Sequence, residues 1–258
     1  MRPTDAPPTA HVAPSVPDAG GAPAWSQPAA SREVPTHVAI IMDGNRRWAR
    51  AHGVPELDGH AAGVEAIRGL LKHAVRRDIR VLTLYAFSRE NWARTDDEVV
   101  GLFGLLEAAI RSETAELQAQ GVQVRLLGRL DELPLDTRRS IQEALLATVH
   151  GDRLILNVAF NYAGRTELID AVRRIVRSGV AADAIDEASI GAALYTAGLP
   201  DPDLVIRTGG EYRLSNFLIW QSAYAELVVT EALWPDYGPA DLDAALAEYA
   251  TRSRRFGR

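Results

Sequence analysis

The stretch His37-Val-Ala-Ile-Ile-Met42 is an unbroken apolar run that leads directly into Asp43-Gly-Asn45. An apolar run without polar alternation is typical of a β-strand buried on both faces, as in a parallel sheet. Similar runs recur at 81–87, 122–127, 154–160, 204–207 and 227–230. Segments with helical spacing separate or follow them, at 63–77, 96–120, 136–149, 166–177 and 241–252. This alternation predicts a single α/β domain, with a mostly six-stranded parallel sheet, right-handed crossovers and helices on both faces.

The first 35 residues differ in composition from the rest of the chain. Eight of the 14 prolines fall there, among Ala, Gly, Thr and Ser. Such a segment has little apolar surface to bury, so we predict a disordered Pro/Ala-rich tail over 1–35 and one folded domain over 36–258. The segment lacks the basic start and continuous apolar core of a secretory signal.

Composition excludes several classes of protein. The 258 residues carry 28 Lys+Arg and 34 Asp+Glu, a formal net charge of −6, with 47% hydrophobic and 24% charged residues. These ordinary values exclude collagen-like, coiled-coil and wholly disordered chains. The acidic balance argues against a nucleic-acid partner. The chain has 0 Cys, which excludes a disulfide framework, a thiolate zinc site and a cysteine nucleophile.

The same counts bear on location. No apolar run approaches the roughly 20 residues that span a bilayer, so we expect no transmembrane segment. The absence of cysteine fits a reducing compartment, and we predict a cytoplasmic location.

Polar clusters follow four of the predicted strands, at 43–48, 88–94, 161–165 and 207–215. Ligands of open parallel sheets bind beyond the carboxyl ends of the strands, so we expect these clusters to meet. Each combines Gly or Asn with Arg, whose planar guanidinium suits a phosphate. Any one cluster alone would be read as a solvated turn, but four together predict a pocket with many guanidinium groups and few acids. Its expected ligand is a polyanion such as a diphosphate, and we expect the pocket to bind more than one of these groups. A mononucleotide site is disfavoured because neither of the usual glycine-rich phosphate loops is present.

Two carboxylates are candidates for metal binding. Asp43 stands among arginines, where it would repel a phosphate directly but could hold Mg²⁺, which is bound by one or two carboxylates together with substrate phosphates. Glu226, just before the sixth predicted strand, is a second candidate. The alternatives are an Asx-turn for Asp43 and an ion pair with an arginine for Glu226.

The long predicted helix 96–120 carries more apolar residues than one buried face needs. A stripe at this spacing is usually core. Part of it could instead wall an apolar tunnel beside the anionic pocket, suited to a lipid chain with a phosphate head. The residues that would set the volume of that tunnel are Ala86, Leu102, Leu105, Leu106 and Ala108.

Several of these segments resemble the cis-prenyltransferase (undecaprenyl diphosphate synthase) family. The resemblance is carried by HVAIIMDGNRRWA at 37–49, LYAFSRENW at 84–92, DLVIRTGGE at 203–211, NFLIWQSAYAE at 216–226, LWPD at 233–236 and RRFG at 254–257. These motifs occur in order from about Val34 to the C-terminus. The resemblance implies the cis-prenyltransferase fold, with an apolar tunnel and a homodimeric assembly.

The resemblance also implies an activity: condensation of an allylic prenyl diphosphate with isopentenyl diphosphate, with release of diphosphate and with Mg²⁺ as cofactor. Asp43 matches the metal-binding aspartate, and Glu226 a further metal ligand. Ser88, Glu90, Asn91 and Trp92 match a loop that positions substrate and assists proton removal. The remaining matches are substrate-binding residues: Gly44, Asn45, Arg46, Arg47, Trp48, His60 and Arg94 for the allylic diphosphate, Arg207, Arg213 and Ser215 for the second diphosphate, and Arg255 and Gly257 in a segment that reaches the neighbouring subunit's site. A lipid product would permit loose membrane association.

The chain departs from the family pattern near His60. The family usually has an arginine four residues before this histidine, where this chain has Glu56, and Arg46 replaces the commoner glycine. Asp58 adds another acid. Lavandulyl-type members, which join prenyl units head-to-middle into short branched products, are similar in this respect.

Four functions therefore stay open: regular long-chain synthesis, specialised short-product or head-to-middle coupling, a non-catalytic partner subunit, and an anion-binding module for nucleic acid. The presence of Asp43, Asn91 and Arg94 disfavours the partner subunit. The charge of −6 disfavours the nucleic-acid module.

Overall fold

A computed structural model describes residues 34–252 of the chain. Within that range the chain forms six strands, His37–Ile41 (β1), Val81–Ser88 (β2), Val122–Leu127 (β3), Leu154–Tyr162 (β4), Leu204–Arg207 (β5) and Glu226–Val229 (β6). They form one sheet in the order β3-β4-β2-β1-β5-β6, and all neighbouring strands are parallel. The predicted single-domain parallel sheet is confirmed, and its strands lie where the apolar runs predicted them.

Seven α-helices accompany these strands in the described range: Asn45–His52 (α1), Glu56–Arg76 (α2), Asp96–Ala119 (α3), Leu135–Thr148 (α4), Gly164–Ser178 (α5), Glu187–Ala193 (α6) and Pro239–Thr251 (α7). The sequence analysis missed α1 and α6 and began α2 too late. In α1 only Ala49 is buried, so this helix has no apolar stripe that could announce it. None of the helices in residues 34–252 has the length and hydropathy needed to cross a membrane.

Strand β1 is buried on both faces, as its unbroken apolar sequence predicts. Val38 and Ile40 pack into a core cluster that includes Leu70 of α2. The alternate residues Ala39 and Ile41 pack into a second cluster on the other face of the sheet. Because neither face meets solvent, no polar residue follows His37 within the strand.

The register aligns the carboxyl ends of the central strands. Ile41 of β1 pairs with Tyr85 of β2 on one side and with Arg207 of β5 on the other. Tyr85 pairs in turn with Ala159 of β4. The segments that follow these strands therefore leave the sheet along one edge. This is the arrangement predicted for the polar clusters that follow the strands.

Candidate active site

The turn after β1 depends on Gly44. This residue has φ 118° and precedes the first residue of α1. A Cβ at Gly44 would lie 3.0 Å from Cα of Leu233, so both the backbone conformation and the close packing require glycine. The carbonyl of the preceding Asp43 accepts a hydrogen bond from the Trp234 amide at 3.0 Å, which fixes the turn against the segment after β6.

Asp43 lies between two arginines at the edge of the sheet. Nη2 of Arg207 donates to Oδ2 of Asp43 at 2.7 Å, and Nη2 of Arg47 lies 3.2 Å from Oδ1. The Asp43 side chain is 31% exposed, whereas that of Arg207 is 4% exposed. Both carboxylate oxygens thus have a cationic partner while one side of the carboxylate still faces the site.

Arg207 connects Asp43 to the loop after β5. Its Nη1 donates to the Arg213 carbonyl and to Oγ of Ser215, both at 2.6 Å. Its Nε is buried and has no hydrogen-bond partner among the described residues. A buried guanidinium is stable only when it is paired, so Arg207 holds these groups together.

The loop after β5 has an unusual backbone. Ser215, Asn216 and Leu218 have positive φ values of 48°, 63° and 43°. Such a conformation is strained for a bulky residue, and Leu218 is held in it by complete burial. Gly209 of the same loop contacts Arg47: its carbonyl accepts a hydrogen bond from Nη1 of Arg47 at 2.7 Å.

The predicted loop 88–92 forms a short 3₁₀ turn, Arg89–Ala93. Oδ1 of Asn91 accepts the Ser88 amide at 2.9 Å, so this side chain closes its own turn. Oε1 of Glu90 accepts from Asn216 at 2.8 Å, and Nε1 of Trp92 donates to Asn161 at 2.9 Å. Ser88 and Asn91 line the polar pocket described below, whereas Glu90 and Trp92 tie the loop to its neighbours.

His60 lies behind Arg94 in a half-buried network. Nη1 of Arg94 is 3.3 Å from Nε2 of His60 and donates to Oε1 of Glu98 at 2.6 Å. Nδ1 of His60 lies 3.2 Å from Nδ2 of Asn45, which also only donates, so the neutral ring accepts a hydrogen bond from one of these two neighbours. Burial, followed by the nearby Arg94 charge, lowers the pKa of His60 and favours this neutral ring.

The expectation of few acids is wrong. Each predicted arginine in the described part of the site has a carboxylate partner: Arg47 and Arg207 share Asp43, Arg94 pairs with Glu98, Arg46 with Glu56, and Arg213 with Glu211. Partly buried guanidinium groups without an anion would be costly, which explains the pairing.

Glu98 was missed, although its position four residues after Arg94 was a readable signal. Thr208, whose Oγ1 accepts the Asp43 amide at 2.9 Å, was also missed.

Glu226 lies at the other end of the sheet from Asp43. It is the first residue of β6 and pairs in register with Leu204, the first residue of β5, whereas Asp43 follows the carboxyl end of β1. Its Oε2 accepts from Nη1 of Arg252 at 2.9 Å, as the ion-pair alternative predicted. The structure therefore does not bring the two predicted metal-binding carboxylates of one chain together, because the first residue of a parallel strand lies at the amino edge.

The other predicted residues are placed as follows. The Trp48 indole donates to Oδ1 of Asp236 at 2.8 Å and stacks on His52, so it braces α1 and does not line the pocket. Arg255, Gly257 and nearly all of the predicted tail 1–35 lie outside the described residues.

Two adjoining cavities extend inward from this edge. A polar cavity of about 170 Å³ contains Asp43, Ser88, Asn91 and Arg94. A mainly apolar cavity of about 190 Å³ extends between α2, α3 and the sheet. The two have five lining residues in common: Met42, Asn45, His60, Ala86 and Leu102. The polar cavity is therefore the mouth of the apolar one.

Four of the five residues predicted to set the tunnel volume lie on this cavity. Ala86, Leu102, Leu105 and Leu106 line it. Ala108 does not: it is exposed, and its neighbour Ala109 faces the cavity instead. Successive residues of a helix are about 100° apart, which turns Ala108 away from the cavity that its neighbour faces.

Comparison with known proteins gives consistent results. A family model described as putative undecaprenyl diphosphate synthase matches residues 41–257. An isoprenyl transferase of Heliobacterium mobile is 49% identical over 228 residues, covering 87% of this chain and 88% of that protein. An isoprenyl transferase of Brucella suis is 50% identical over 228 residues, covering 86% and 89%.

Solved structures agree with this result. Lavandulyl diphosphate synthase from Lavandula x intermedia, in complex with dimethylallyl diphosphate, superposes with a TM-score of 0.85 at 36% identity, covering 88% of this chain and 99% of that one. A probable undecaprenyl diphosphate synthase from Campylobacter jejuni superposes with a TM-score of 0.75 at 32% identity, covering 87% and 99%.

Proposed function

This chain belongs to the undecaprenyl diphosphate synthase family of cis-prenyltransferases, and from that membership we propose how it works as a prenyl-transferring enzyme. It condenses an allylic prenyl diphosphate with isopentenyl diphosphate and releases diphosphate. The observation that carries this proposal is the continuity of the polar mouth at Asp43 with the apolar cavity behind it. A substrate with an anionic head and an apolar tail matches both parts of such a site.

The mouth suits a Mg²⁺ ion whose coordination shell is completed by the substrates. No group of three or more metal-ligating side chains lies together within residues 34–252, so the chain does not build a closed metal site there. Asp43 offers a partly exposed carboxylate, and Mg²⁺ is commonly bound by one carboxylate with phosphates and waters. When bound, the ion would neutralise part of the charge that develops on the departing diphosphate.

The arginines of the mouth serve two diphosphates. The reaction breaks the allylic C–O bond, and the electron pair of this bond leaves with the diphosphate. Arg94, which lines the mouth, and Arg47, which pairs with Asp43 beside it, stabilise that charge, and His60, 3.3 Å from Arg94, orients the Arg94 guanidinium. Arg207 and Ser215, which are hydrogen-bonded to each other at 2.6 Å, hold the second diphosphate.

The loop after β2 and the apolar cavity complete the site. The double bond of the five-carbon unit supplies the electrons of the new C–C bond, and this unit then loses a proton. Ser88 and Asn91 line the mouth and position that unit. The apolar lining behind them excludes water from the cation-like allylic carbon, which water would otherwise trap.

Head-to-middle coupling is the second candidate, and Glu56 is the observation that favours it. The family resemblance places an arginine at this position, and its loss weakens the ordinary allylic site. In this chain, however, Glu56 accepts hydrogen bonds from Arg46 at 2.5 Å and from Arg50 at 2.8 Å, so its charge is neutralised. The main objection to regular coupling is therefore reduced.

Product analysis tests both candidates. Purified protein is incubated with Mg²⁺ and either dimethylallyl or geranyl diphosphate, with and without isopentenyl diphosphate, and products are separated by chromatography and mass spectrometry. We expect linear products that require isopentenyl diphosphate and grow by five carbons. A branched product formed from dimethylallyl diphosphate alone would establish head-to-middle coupling instead. If neither product forms, the proposal is contradicted.

A homodimer is part of the proposal. Ile169, Val172 and Val176 lie three and four residues apart on α5 and are 51%, 51% and 69% exposed. An apolar helix face of this kind is usually covered by a partner, and we propose a second copy of this chain. A cytoplasmic location and a loose membrane association for the lipid product are further predictions of the same reading.

A further inference from the structure

The apolar cavity has a polar end. Its lining is apolar along Ile67, Leu71 and Ile110, but it also includes Arg68 and Lys72 of α2 and Glu113 and Glu116 of α3. The cavity is otherwise apolar, yet it has four charged residues on two facing helices. Prenyl transfer at the mouth does not use them.

These charges form two ion pairs between the helices. Arg68 makes a two-pronged contact with Glu113, from Nη2 to Oε1 at 2.7 Å and from Nε to Oε2 at 3.1 Å. One turn further along both helices, Nζ of Lys72 is 3.4 Å from Oε1 of Glu116. Together they span the gap between α2 and α3, and we call these four residues the ionic closure.

The ionic closure lies far from the mouth. Both helices begin at the mouth edge of the sheet and run away from it, with His60 and Leu102 at the shared lining of the two cavities. Lys72 follows His60 by 12 residues, or about 18 Å at 1.5 Å per residue. Glu116 follows Leu102 by 14 residues, or about 21 Å. The closure is therefore placed where the tail of a growing chain arrives.

We propose that the ionic closure sets the length of the product. This inference rests on the proposed prenyl transfer. A terminal isoprene unit that advances between Arg68 and Glu113 must take water and charged partners away from groups that it cannot replace, which is unfavourable. Elongation stops when the chain meets this barrier. Since exposed ion pairs contribute little to stability, the pairs can be changed without unfolding the domain.

The test replaces the closure with apolar side chains of similar size. The variants are Arg68→Met, Glu113→Leu and the double variant, with Arg111→Met as the matched control. Arg111 lies on α3 next to the closure, has a 66% exposed side chain and does not line the cavity. With excess isopentenyl diphosphate, we expect the main product of the double variant to gain at least one five-carbon unit, while the control leaves product length unchanged. The same main product in the double variant and the unmodified protein overturns the proposal.

Binding measurements separate this inference from the proposed function. Thermal shift is recorded with Mg²⁺ and allylic diphosphates of increasing chain length, without isopentenyl diphosphate. We expect the stabilisation by ligand to fall beyond a limiting chain length in the unmodified protein and to persist to longer chains in the double variant. If the limit moves but no condensation product ever forms, the closure limits the length of the bound chain and the proposed function fails. If products form and neither length limit moves, the closure proposal fails alone.

Discussion

Arg46 and Glu56 face each other across the junction of α1 and α2, with Nε of Arg46 2.5 Å from Oε2 of Glu56. Both residues depart from the family pattern, and the structure shows that the two departures form one ion pair. Arg50 adds a second hydrogen bond to the same carboxylate, and together these bonds hold the pKa of Glu56 below its ordinary value. The acid that the sequence places near the diphosphate site is thus already neutralised.

Removal of that acid should strengthen substrate binding. In Glu56→Gln, the guanidinium groups of Arg46 and Arg50 lose their anion and become available to the allylic diphosphate. We expect the KM for this substrate to fall about two- to fivefold at low salt, with kcat nearly unchanged, as for an exposed charge. Steady-state kinetics check this. Asp58→Asn removes an exposed charge two residues away and serves as the control. An equal effect in that variant would show that the change in KM comes from the overall charge of the protein.

Loss of the Asp43 carboxylate should abolish turnover. In Asp43→Ala, the residue that we propose for Mg²⁺ is gone, and we expect the rate to fall by at least about 100-fold. Circular dichroism should still show a folded protein, with a lower melting temperature because the buried Arg207 loses its carboxylate partner. Titration of Mg²⁺ at fixed substrate gives a second readout. Near-normal rates in this variant would contradict the metal role.

Arg207 should not tolerate lysine. Its two terminal nitrogens contact Asp43, the Arg213 carbonyl and Ser215 simultaneously, which a single ammonium group cannot reproduce. We expect Arg207→Lys to raise the KM for isopentenyl diphosphate by about tenfold or more. Arg139→Lys, at an exposed position on α4, is the control. An unchanged KM in Arg207→Lys would remove Arg207 from the second diphosphate site.

Stability should fall on acidification because of His37. Burial lowers the pKa of His37 to about 4 from an ordinary 6.5. Its ring nitrogens bond the Pro200 carbonyl and Oγ1 of Thr83 at 2.8 and 2.7 Å. The unfolded chain therefore binds a proton that the folded chain refuses between pH 6.5 and 4, so the free energy of unfolding decreases as the pH falls through this window.

The His37 contribution amounts to about 3 kcal/mol at the acid end of that window, at 1.36 kcal/mol per pH unit. Urea unfolding at several pH values measures it. In His37→Gln the slope should be shallower, whereas His150→Gln, at an exposed position, should keep the normal slope. An identical slope in all three proteins would show that another group is responsible.

Assembly should depend on the exposed face of α5. We expect Val172→Glu to convert a dimer to a monomer in sedimentation velocity, because it places a charge in the proposed apolar contact. Val100→Glu makes the same change on α3, at a valine that is 70% exposed and outside that face, and should leave the dimer intact. A monomeric unmodified protein would contradict the homodimer.

The sequence predicted the sheet well because the strands are buried on both faces and their apolar runs are continuous. It also predicted which loops meet, since parallel strands end at one edge. It could not supply the pairing of charges: Asp43 and Arg207 are 164 residues apart, and only the folded register brings them together. Glu226 is different, because its place at the start of a parallel strand already excluded it from the carboxyl edge.

The pairing of every predicted arginine in the described site with a carboxylate has a consequence for ligand choice. A small monovalent anion makes one contact and would leave two displaced carboxylates without partners. Its binding therefore yields little free energy. A diphosphate presents several oxygens at once and can satisfy neighbouring guanidinium groups in a single event. We therefore expect chloride and simple phosphate to bind weakly at this site, and molecules whose charge is spread over two linked centres to bind more strongly.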